Sequence, residues 1–249
     1  MCTKLHPRIE EFTFANYAYM VPALLTEQAT EPPRSSAKPV IAIDGPAAAG
    51  KGTLARRIAA ALGLPYLDTG LLYRAVGRLV LDGGGDPADP VTAETAARAL
   101  RPDDLERGNL RGSVADAAAA AVAAIPGVRT ALLDFQRGFA TDCGAVLDGR
   151  DIGTVIFPNA TAKLYVTASP AERARRRWLE LKAKGIAADL AIVEAEMLAR
   201  DTRDAPNMRR AVDADLLDTT SLDAEAAFKS ALGTVRRKLE QAKPADPSS

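Results

Sequence analysis

A run of nine residues near the start of the chain has the composition of a loop that binds phosphate. Two glycines lie five positions apart, a lysine follows the second, and a Gly-Thr pair follows the lysine. The run consists of Gly45, Pro46, Ala47, Ala48, Ala49, Gly50, Lys51, Gly52 and Thr53. Backbone N–H groups in such a loop surround an anionic oxygen, and the lysine reaches the β- and γ-phosphates of a nucleoside triphosphate. We therefore predict that these residues bind ATP and that Lys51 takes part in catalysis.

The residue after Lys51 bears on how a metal ion would be held. Loops of this kind usually place Ser or Thr directly after the lysine to bind Mg²⁺, whereas here the hydroxyl comes one residue later, at Thr53. A Mg²⁺ that accompanies ATP would then keep more of its waters. We expect phosphates and water to hold the ion near Thr53, with no direct ligand from the protein. The Gly-Lys-Gly-Thr variant favours a small-molecule kinase with two mobile phosphate-binding regions.

Arginines are concentrated in the parts of the chain that could hold an acceptor. Guanidinium groups bind phosphate through two parallel hydrogen bonds, so such a set suggests a second phosphate-binding region. Arg150 and Asp151 come just after a predicted strand, at the edge where open α/β sheets bind ligands. The arginines are Arg74, Arg129, Arg150, Arg173, Arg175, Arg176, Arg177, Arg200, Arg203, Arg209 and Arg210.

The only histidine in the sequence is His6, which precedes the predicted folded body. A mechanism that needs a histidine base within that body is therefore excluded. An acceptor that is itself a phosphate monoester is already ionised, so the transfer needs positioning and charge stabilisation rather than a general base. The composition therefore favours a phosphorylated acceptor.

The segments around these residues alternate between strand and helix patterns. Pro39–Asp44 is a short β-branched apolar run that ends at a glycine, and Gly63 is placed to end the helix that begins at Gly50. The other predicted strands are Tyr66–Asp68, Ala145–Asp148, Lys163–Val166 and Leu216–Leu217. Strands that alternate with helices indicate an α/β fold with a mostly parallel central sheet, the three-layer arrangement of P-loop NTPases.

Several helices show which face they bury. Ser169-Pro-Ala-Glu172 predicts a helix start, because it combines an N-cap serine with proline at N1 and glutamate at N3, and the helix would end at Gly185. Its core stripe would place Arg173, Arg176 and Arg177 around the opposite side. A helix from Thr69 would run to about Asp82 and be closed by the glycines that follow it. The predicted core stripes are Ala174, Trp178 and Leu181; Val128, Leu132, Phe135 and Phe139; and Phe228, Leu232, Val235 and Leu239.

Length and composition bound the organisation of the chain. The 249 residues suit one domain, and 32 basic residues balance 32 acidic ones, which argues against a nucleic acid polymer or an anionic membrane as partner. No apolar run reaches the roughly 18 residues that span a bilayer, and two widely spaced cysteines fit a reducing cytoplasm. We expect a cytoplasmic monomer with one domain at residues 38–241, between a disordered extension at 1–37 and a disordered tail at 242–249. Within the domain we expect an insert at about 83–112, and we interpret the alanine-rich 115–124 as a closely packed helix.

Six motifs make the chain similar to the bacterial cytidylate kinases, and the similarity extends from about Pro39 to Leu239. They are IDGPAAAGKGT (Ile43–Thr53), LDTGLLYR (Leu67–Arg74), VAAIPGVRTAL (Val122–Leu132), LDGRDIGTVIFP (Leu147–Pro158), ERARRR (Glu172–Arg177) and RDTRD (Arg200–Asp204). This resemblance implies phosphoryl transfer from ATP, with Mg²⁺, to CMP or dCMP.

The resemblance also implies a role for individual residues. Arg129 and Asp151 would contact the cytosine edge, Asp151 accepting from the exocyclic amine that uracil lacks. The phosphate of CMP would be held by Arg74 and Arg150, and its sugar would be contacted by Thr69, Arg200 and Asp204. A lid at about residues 172–190 would bring Arg176 and Arg177 over ATP. Besides Lys51, the catalytic residues would be Arg150, Asp151 and Arg176.

Two departures from the family pattern and two other interpretations remain open. Ala120 stands where relatives often have a serine that contacts cytosine. The segment after Asp204 is several residues short, and two outcomes are open: Arg209 or Arg210 supplies the missing phosphate contact, or the enzyme is slow. Another P-loop kinase, such as one acting on shikimate, is an alternative because Gly83–Gly85 resembles that family's glycine triplet. A nucleotide-binding regulator without activity is the other alternative.

Overall fold

The computed structural model describes residues 38–140 and 143–242. The predictions of a disordered extension at 1–37 and a disordered tail at 242–249 lie outside this range, except for Ala242. The chain forms two compact units. We call Lys38–Asp68 with the described part of Phe139–Ser249 the sheet unit, and Thr69–Gly138 the helical unit.

The described part of the sheet unit contains five strands, all parallel, in the spatial order β2-β3-β1-β4-β5. They are β1 (Val40–Asp44), β2 (Tyr66–Asp68), β3 (Ala145–Gly149), β4 (Ala162–Thr167) and β5 (Asp215–Asp218). Each strand predicted from the sequence is present, and the predicted α/β fold with a mostly parallel sheet is confirmed.

Helices connect the strands and form the second unit. They are α1 (Lys51–Leu62), α2 (Thr69–Asp82), α3 (Pro90–Ala99), α4 (Ser113–Ala123), α5 (Pro126–Gly138), α6 (Pro170–Ala183), α7 (Leu190–Asp204) and α8 (Ala224–Gln241). Short 3₁₀ segments lie at Pro102–Glu106 and Ala205–Asn207, and a π-helical turn at Ile152–Ile156 follows β3.

The core of the sheet unit lies between the sheet and the helices α1 and α8. Ile43 of β1, Ile58 of α1 and Val235 of α8 are completely buried in one apolar cluster. Burying one such side chain stabilises the fold by about 1.5–3 kcal/mol. This core fixes the strand register that positions the polar edge: Asp68 of β2 and Ile43 of β1 both pair with Asp148 of β3.

The start of α6 agrees with its sequence signal, whereas α7 was missed. Ser169 caps α6, its side chain accepting a hydrogen bond from the amide of Glu172 at 3.3 Å. The sequence around Arg200 and Asp204 shows no clear periodicity, and yet it ends the regular helix α7. This helix buries only Val193 and Met197, so its apolar stripe is too short to be visible in the sequence.

In the helical unit, α2 packs closely on α4. A Cβ at Gly77 would lie 2.8 Å from the backbone of Ala118, so glycine permits the approach, and the predicted packing role of the alanine-rich segment is confirmed.

The predicted buried stripe of α5 was partly wrong. Val128 and Leu132 are fully buried as expected, but Phe135 is half-buried and Phe139 lies beyond the end of the helix. Ala131 and Gln136 are buried instead, because the buried face runs along a neighbouring line of the helix.

The glycines after α2 act as a helix end. The amide of Gly85 donates to the carbonyl of Val80, and Gly84 has a φ of +73°, the left-handed conformation common after a helix. The triplet therefore gives no support to a sugar-acid kinase.

Among the described residues, no single helix is long and apolar enough to cross a membrane, although α4 and α5 would meet that test together as a pair bent by 99°.

Candidate active site

The predicted phosphate loop connects β1 to α1 at the carboxyl edge of the sheet. Gly45 has a φ of +141°, and a Cβ there would lie 2.0 Å from the carbonyl oxygen of Val166, so only glycine fits. Gly50 has a φ of +91° and precedes the first residue of α1, Lys51. The backbone of Ala48 is also left-handed, with a φ of 57°. The loop thus has the tight curvature that brings successive amides around an anion.

Lys51 is buried at the base of this loop. Its Nζ donates a hydrogen bond to the carbonyl oxygen of Pro46 at 2.8 Å, and only 6% of the residue is exposed. Burial, followed by the positive charge of Arg150, lowers the pKa of Lys51 to about 7, against the opposing effect of Asp148 and Asp44. The loop therefore holds a lysine whose charge is incompletely compensated, and the phosphates of a nucleotide would compensate it.

Two buried carboxylates stand beside Lys51 at the ends of β1 and β3. Asp44 accepts hydrogen bonds from the amides of Ile152 and Gly153, both at 2.8 Å, and burial still raises its pKa to about 6. Asp148 accepts from the hydroxyl of Tyr66 at 2.9 Å, and burial together with Asp68 raises its pKa to about 6.

Sequence reasoning did not single out either Asp44 or Asp148. A visible signal existed: each is an aspartate that closes an apolar strand, at the edge where ligands bind.

The acceptor residues predicted in the sheet unit form a charged cluster. The Nε of Arg150 donates to Asp204 at 2.8 Å, and the Nε of Arg200 lies 3.8 Å from the same carboxylate oxygen. Asp151 is buried and begins the π-helical turn that follows β3. The structure thus brings together Arg150 and Asp204, which are separated by 54 residues in the sequence, and Arg200 joins them.

The predicted residues of the helical unit also have defined partners. The Nε of Arg74 donates to Asp116 of α4 at 3.0 Å. The guanidinium carbon of Arg129 lies 5.9 Å from the centre of the Tyr73 ring. Thr69 is the first residue of α2 and is buried. Arg74 is therefore held beside a carboxylate that a bound phosphate would have to displace or share.

A pocket adjoins the phosphate loop where the rest of a nucleotide could lie. The residues that line it include Gly50, Thr53, Arg176, Thr219 and Leu222. Arg176 donates to the side chain of Glu172 at 2.9 Å, to the hydroxyl of Thr219 at 2.9 Å and to its carbonyl at 2.6 Å. The predicted ATP residue Arg176 thus lies at this pocket.

The two neighbours of Arg176 lie differently. Arg177 pairs with Glu180 at 3.0 Å and is not among the residues that line the pocket. Arg175, which the sequence placed only in the set of candidate acceptor arginines, does line it.

Arg173 corrects another expectation from the helix pattern. It was expected on the side of α6 opposite the core, but only 4% of it is exposed. Its guanidinium group binds the carboxylate of Asp201 through two hydrogen bonds, one of them 3.0 Å long, and also donates to the carbonyl of Ala47 at 3.3 Å. A charged partner 28 residues away compensates its burial, and a helical pattern cannot reveal such a partner.

Whether the protein could hold a metal ion directly depends on the donor groups near the phosphate loop. Within residues 38–140 and 143–242, no group of three or more His, Cys, Asp or Glu side chains is arranged to hold a metal ion. Thr53 is exposed and lines the pocket, so its hydroxyl is accessible to a hydrated ion that arrives with a nucleotide.

The family model and the relatives that match this chain all indicate the same family. A family model described as "Cytidylate kinase" matches residues 41–237. The chain is 60% identical over 203 residues to a cytidylate kinase of Granulibacter bethesdensis, covering 80% of this chain and 97% of that protein. It is 61% identical over 204 residues to a cytidylate kinase of Acidiphilium cryptum, covering 80% and 96%. A cytidylate kinase of Paramagnetospirillum magneticum is 58% identical over 208 residues, covering 80% and 98%.

Proposed function

This chain belongs to the cytidylate kinase family, and from that membership we infer how its phosphate loop and its arginines share the work of one reaction. It is a nucleoside-monophosphate kinase that transfers a phosphoryl group from ATP to CMP or dCMP, giving ADP and the nucleoside diphosphate. We propose the following roles for its residues.

The donor side consists of the loop Gly45–Thr53 and Arg176. The loop amides surround the β- and γ-phosphates, and Lys51 places its charge where negative charge develops during transfer. A lid at about residues 172–190 closes over ATP and carries Arg176 and Arg177. Thr53 is the loop residue near which the phosphates and water would hold a Mg²⁺ bound with ATP, and the ion would supply further positive charge to the phosphates there.

On the acceptor side, Arg150 and Arg74 bind the phosphate of CMP. Arg200 and Asp204 contact the sugar, together with Thr69. Asp151 and Arg129 contact the cytosine edge. Asp204 compensates the charges of Arg150 and Arg200 in the structure, so arrival of the phosphate changes the partner of Arg150.

The observation that carries the proposal is the electrostatic coupling between the two sides. The charge of Arg150, and to a smaller extent that of Arg200, lowers the pKa of Lys51. Charges influence one another in this way only over short distances, so acceptor arginines lie near the donor lysine. Two phosphates held by these groups would face each other, which is the arrangement that an in-line transfer needs.

The reaction needs no general base in this arrangement. The second ionisation of a phosphate monoester has a pKa of about 6, so CMP presents an anionic oxygen at neutral pH. We also propose that the enzyme acts in the cytoplasm as a monomer. Because its acidic and basic residues balance, we propose neither an anionic membrane nor a nucleic acid polymer as its partner.

One assay tests the proposed function against the alternatives. ADP release from ATP and Mg²⁺ is measured with CMP, dCMP, UMP, AMP and shikimate, for the native chain and for Lys51→Ala. We expect CMP and dCMP to be preferred, and Lys51→Ala to lose at least about two orders of magnitude in kcat while its circular dichroism is unchanged.

Preference for another acceptor would indicate a different kinase. Tight ATP binding without ADP release on any acceptor would indicate a regulator. A near-normal rate for Lys51→Ala would refute the role of the loop.

A further inference from the structure

Two carbonyl groups of the phosphate loop are held by side chains that the proposed mechanism does not use. A guanidinium nitrogen of Arg173 donates to the carbonyl of Ala47 at 3.3 Å. The hydroxyl of Thr219 donates to the carbonyl of Ala49 at 3.1 Å. Both side chains are buried, with 4% of Arg173 and 2% of Thr219 exposed. They come from α6 and from the end of β5, so elements outside the loop hold alternate peptides of it.

Holding a carbonyl also fixes the amide that follows it. The peptide bonds of the described residues are trans, and in a planar trans peptide the C=O and the next N–H point in opposite directions. The Ala47 carbonyl points toward Arg173, so the amide of Ala48 points away from it. The same reasoning applies to the Ala49 carbonyl and the amide of Gly50.

The surroundings show which side of the loop faces the protein. Ala47 packs against Ala174 of α6 and against Val193 and Met197 of α7. Ala49 is completely buried in the core of the sheet unit. The two carbonyls therefore point into the protein. The opposite side, toward which the amides of Ala48 and Gly50 point, remains for the phosphates.

Each holding group is itself fixed by other bonds. Arg173 is bound by Asp201 and also donates to the carbonyl of Ala168 at 3.2 Å. The one hydroxyl proton of Thr219 has two carbonyl oxygens within reach, that of Ala49 at 3.1 Å and that of Thr167 at 3.0 Å. Since the Thr167 carbonyl also accepts from the amide of Thr219 at 2.8 Å, donation of the hydroxyl proton to Ala49 gives both carbonyls a partner. The hydroxyl oxygen meanwhile accepts from Arg176 at 2.9 Å.

We propose that Arg173 and Thr219 are positioning residues for the ATP phosphates: by holding the Ala47 and Ala49 carbonyls from the protein side, they direct the Ala48 and Gly50 amides at the donor phosphates before ATP binds. The inference rests on the proposed role of the loop as the ATP phosphate site. Neither side chain touches the phosphates, and both act through the backbone.

Thr219 allows a matched test, since valine keeps its shape without the hydroxyl and serine keeps the hydroxyl. The dissociation constants of ATP and of inorganic tripolyphosphate are measured by calorimetry for Thr219→Val, Thr219→Ser and the neighbouring Thr220→Val. Thr220 bonds to Asp218 and Ser169 instead of the loop. We expect about five-fold weaker binding of both ligands for Thr219→Val, the loss from one neutral hydrogen bond, and values within about two-fold of the native chain for the other two variants.

The tripolyphosphate measurement separates positioning from direct contact with the nucleoside. A Thr219→Val variant that weakens ATP but not tripolyphosphate would overturn the proposal, because Thr219 would then touch the nucleoside. Equal weakening by Thr219→Val and Thr220→Val would overturn it too, since general destabilisation would be the cause. The dissociation constants are calculated from the measured concentration of folded protein. A loss of stability alone would therefore not produce the expected weakening of binding.

Arg173 needs a variant that can fold without it. Arg173→Met alone would leave the half-buried Asp201 without its charged partner, whereas the double variant Arg173→Met/Asp201→Met removes both charges and keeps apolar volume. We expect at least about ten-fold weaker tripolyphosphate binding, because the lost hydrogen bond involves a charged group. Arg57→Met/Glu225→Met, which removes an ion pair elsewhere in the sheet unit, is the control. Equal binding by the two double variants would contradict the proposal.

A Lys51→Met variant distinguishes this inference from the proposed function. If Lys51→Met leaves tripolyphosphate binding intact, the loop is not the phosphate site and both fail. If Lys51→Met weakens binding but the Thr219 and Arg173 variants do not, only the positioning roles fail.

Discussion

At the scale of single residues, the site contains buried ionisable side chains whose charges are only partly compensated. Lys51 is buried beneath the loop with a carbonyl as hydrogen-bond partner, and its pKa is lowered to about 7. Asp44 and Asp148 are buried close by, and the pKa of each is raised to about 6. A nucleotide that brings phosphate charge to Lys51 therefore changes the protonation of the protein.

The first prediction follows from Lys51. In the empty protein its lowered pKa leaves much of it neutral at about pH 8, and the negative charge of bound ATP favours the protonated form, so binding takes up a proton. Calorimetry of ATP binding in two buffers with different heats of ionisation measures this uptake. Lys51→Met should remove it, and equal uptake by the native chain and this variant would exclude Lys51 as its source.

The second prediction concerns the stability contribution of Asp44. Its pKa is about 6 in the folded protein against an ordinary value of 3.8, so the unfolded chain binds fewer protons between those values. Stability then falls as pH rises through this window, by roughly 3 kcal/mol for the shift of about two units. The variant Asp44→Asn carries an amide at this position, which cannot titrate.

The measurement compares urea unfolding of the native chain and Asp44→Asn across the window. The free energy of unfolding of Asp44→Asn, relative to the native chain, should be higher at about pH 7.5 than at about pH 4. A constant difference across that range would show that burial does not perturb this carboxyl.

Asp151 gives the third prediction, on base selectivity. If its carboxylate accepts a hydrogen bond from the exocyclic amine of cytosine, Asp151→Ala removes a contact that uracil never makes. We expect kcat/KM for CMP to fall about 10–100-fold, in line with 1–3 kcal/mol for such pairing, and kcat/KM for UMP to fall much less. Loss of the same factor on both substrates would show that Asp151 supports the turn after β3 without contacting the base.

At the scale of secondary-structure elements, the sequence was informative where a signal was local. The glycines around Lys51 and the cap at Ser169 mark their own elements, and both are present as predicted. Helix α7 was missed because its two buried residues meet partners from the loop and from α6. Arg173 was misplaced for the same reason, since Asp201 belongs to a different helix. Partners that are distant in the chain leave no pattern within either segment.

The next prediction concerns the segment that follows the end of α7. The sequence motifs predict that the segment after Asp204 is shorter than in the family, and Arg209 and Arg210, which lie there, are exposed. We predict that one of them supplies the phosphate contact, so that Arg209→Ala/Arg210→Ala raises the KM for CMP about 10–100-fold with an unchanged KM for ATP. The control, Arg236→Ala/Arg237→Ala, removes the same charge from two exposed positions of α8. An unaltered KM for CMP in the first variant would dismiss this role.

At the scale of the whole molecule, neutrality and local charge coexist. The chain has equal numbers of acidic and basic residues, 32 of each, and several arginines of the site have carboxylate partners. Arg150 has Asp204, Arg173 has Asp201 and Arg74 has Asp116. In the proposed mechanism the phosphate of CMP competes with the carboxylate partners of Arg150 and Arg74, whereas the pair of Arg173 and Asp201 stays intact. The fold class and family were predictable from contiguous motifs, but the pairing of these charges was not.

The proposed mechanism depends most on the state of the acceptor: the oxygen of CMP is ionised before transfer, without a general base. The direct measurement is kcat against pH for CMP and for its analogue in which a difluoromethylene group replaces the bridging oxygen, so that the phosphonate ionises at lower pH. If ionisation of the acceptor controls the rate, kcat for CMP decreases as the pH is lowered below about 6, and for the analogue this decrease occurs at lower pH. An acid limb at the same pH for both acceptors would show that ionisation of the acceptor does not control the rate, and would contradict this mechanism.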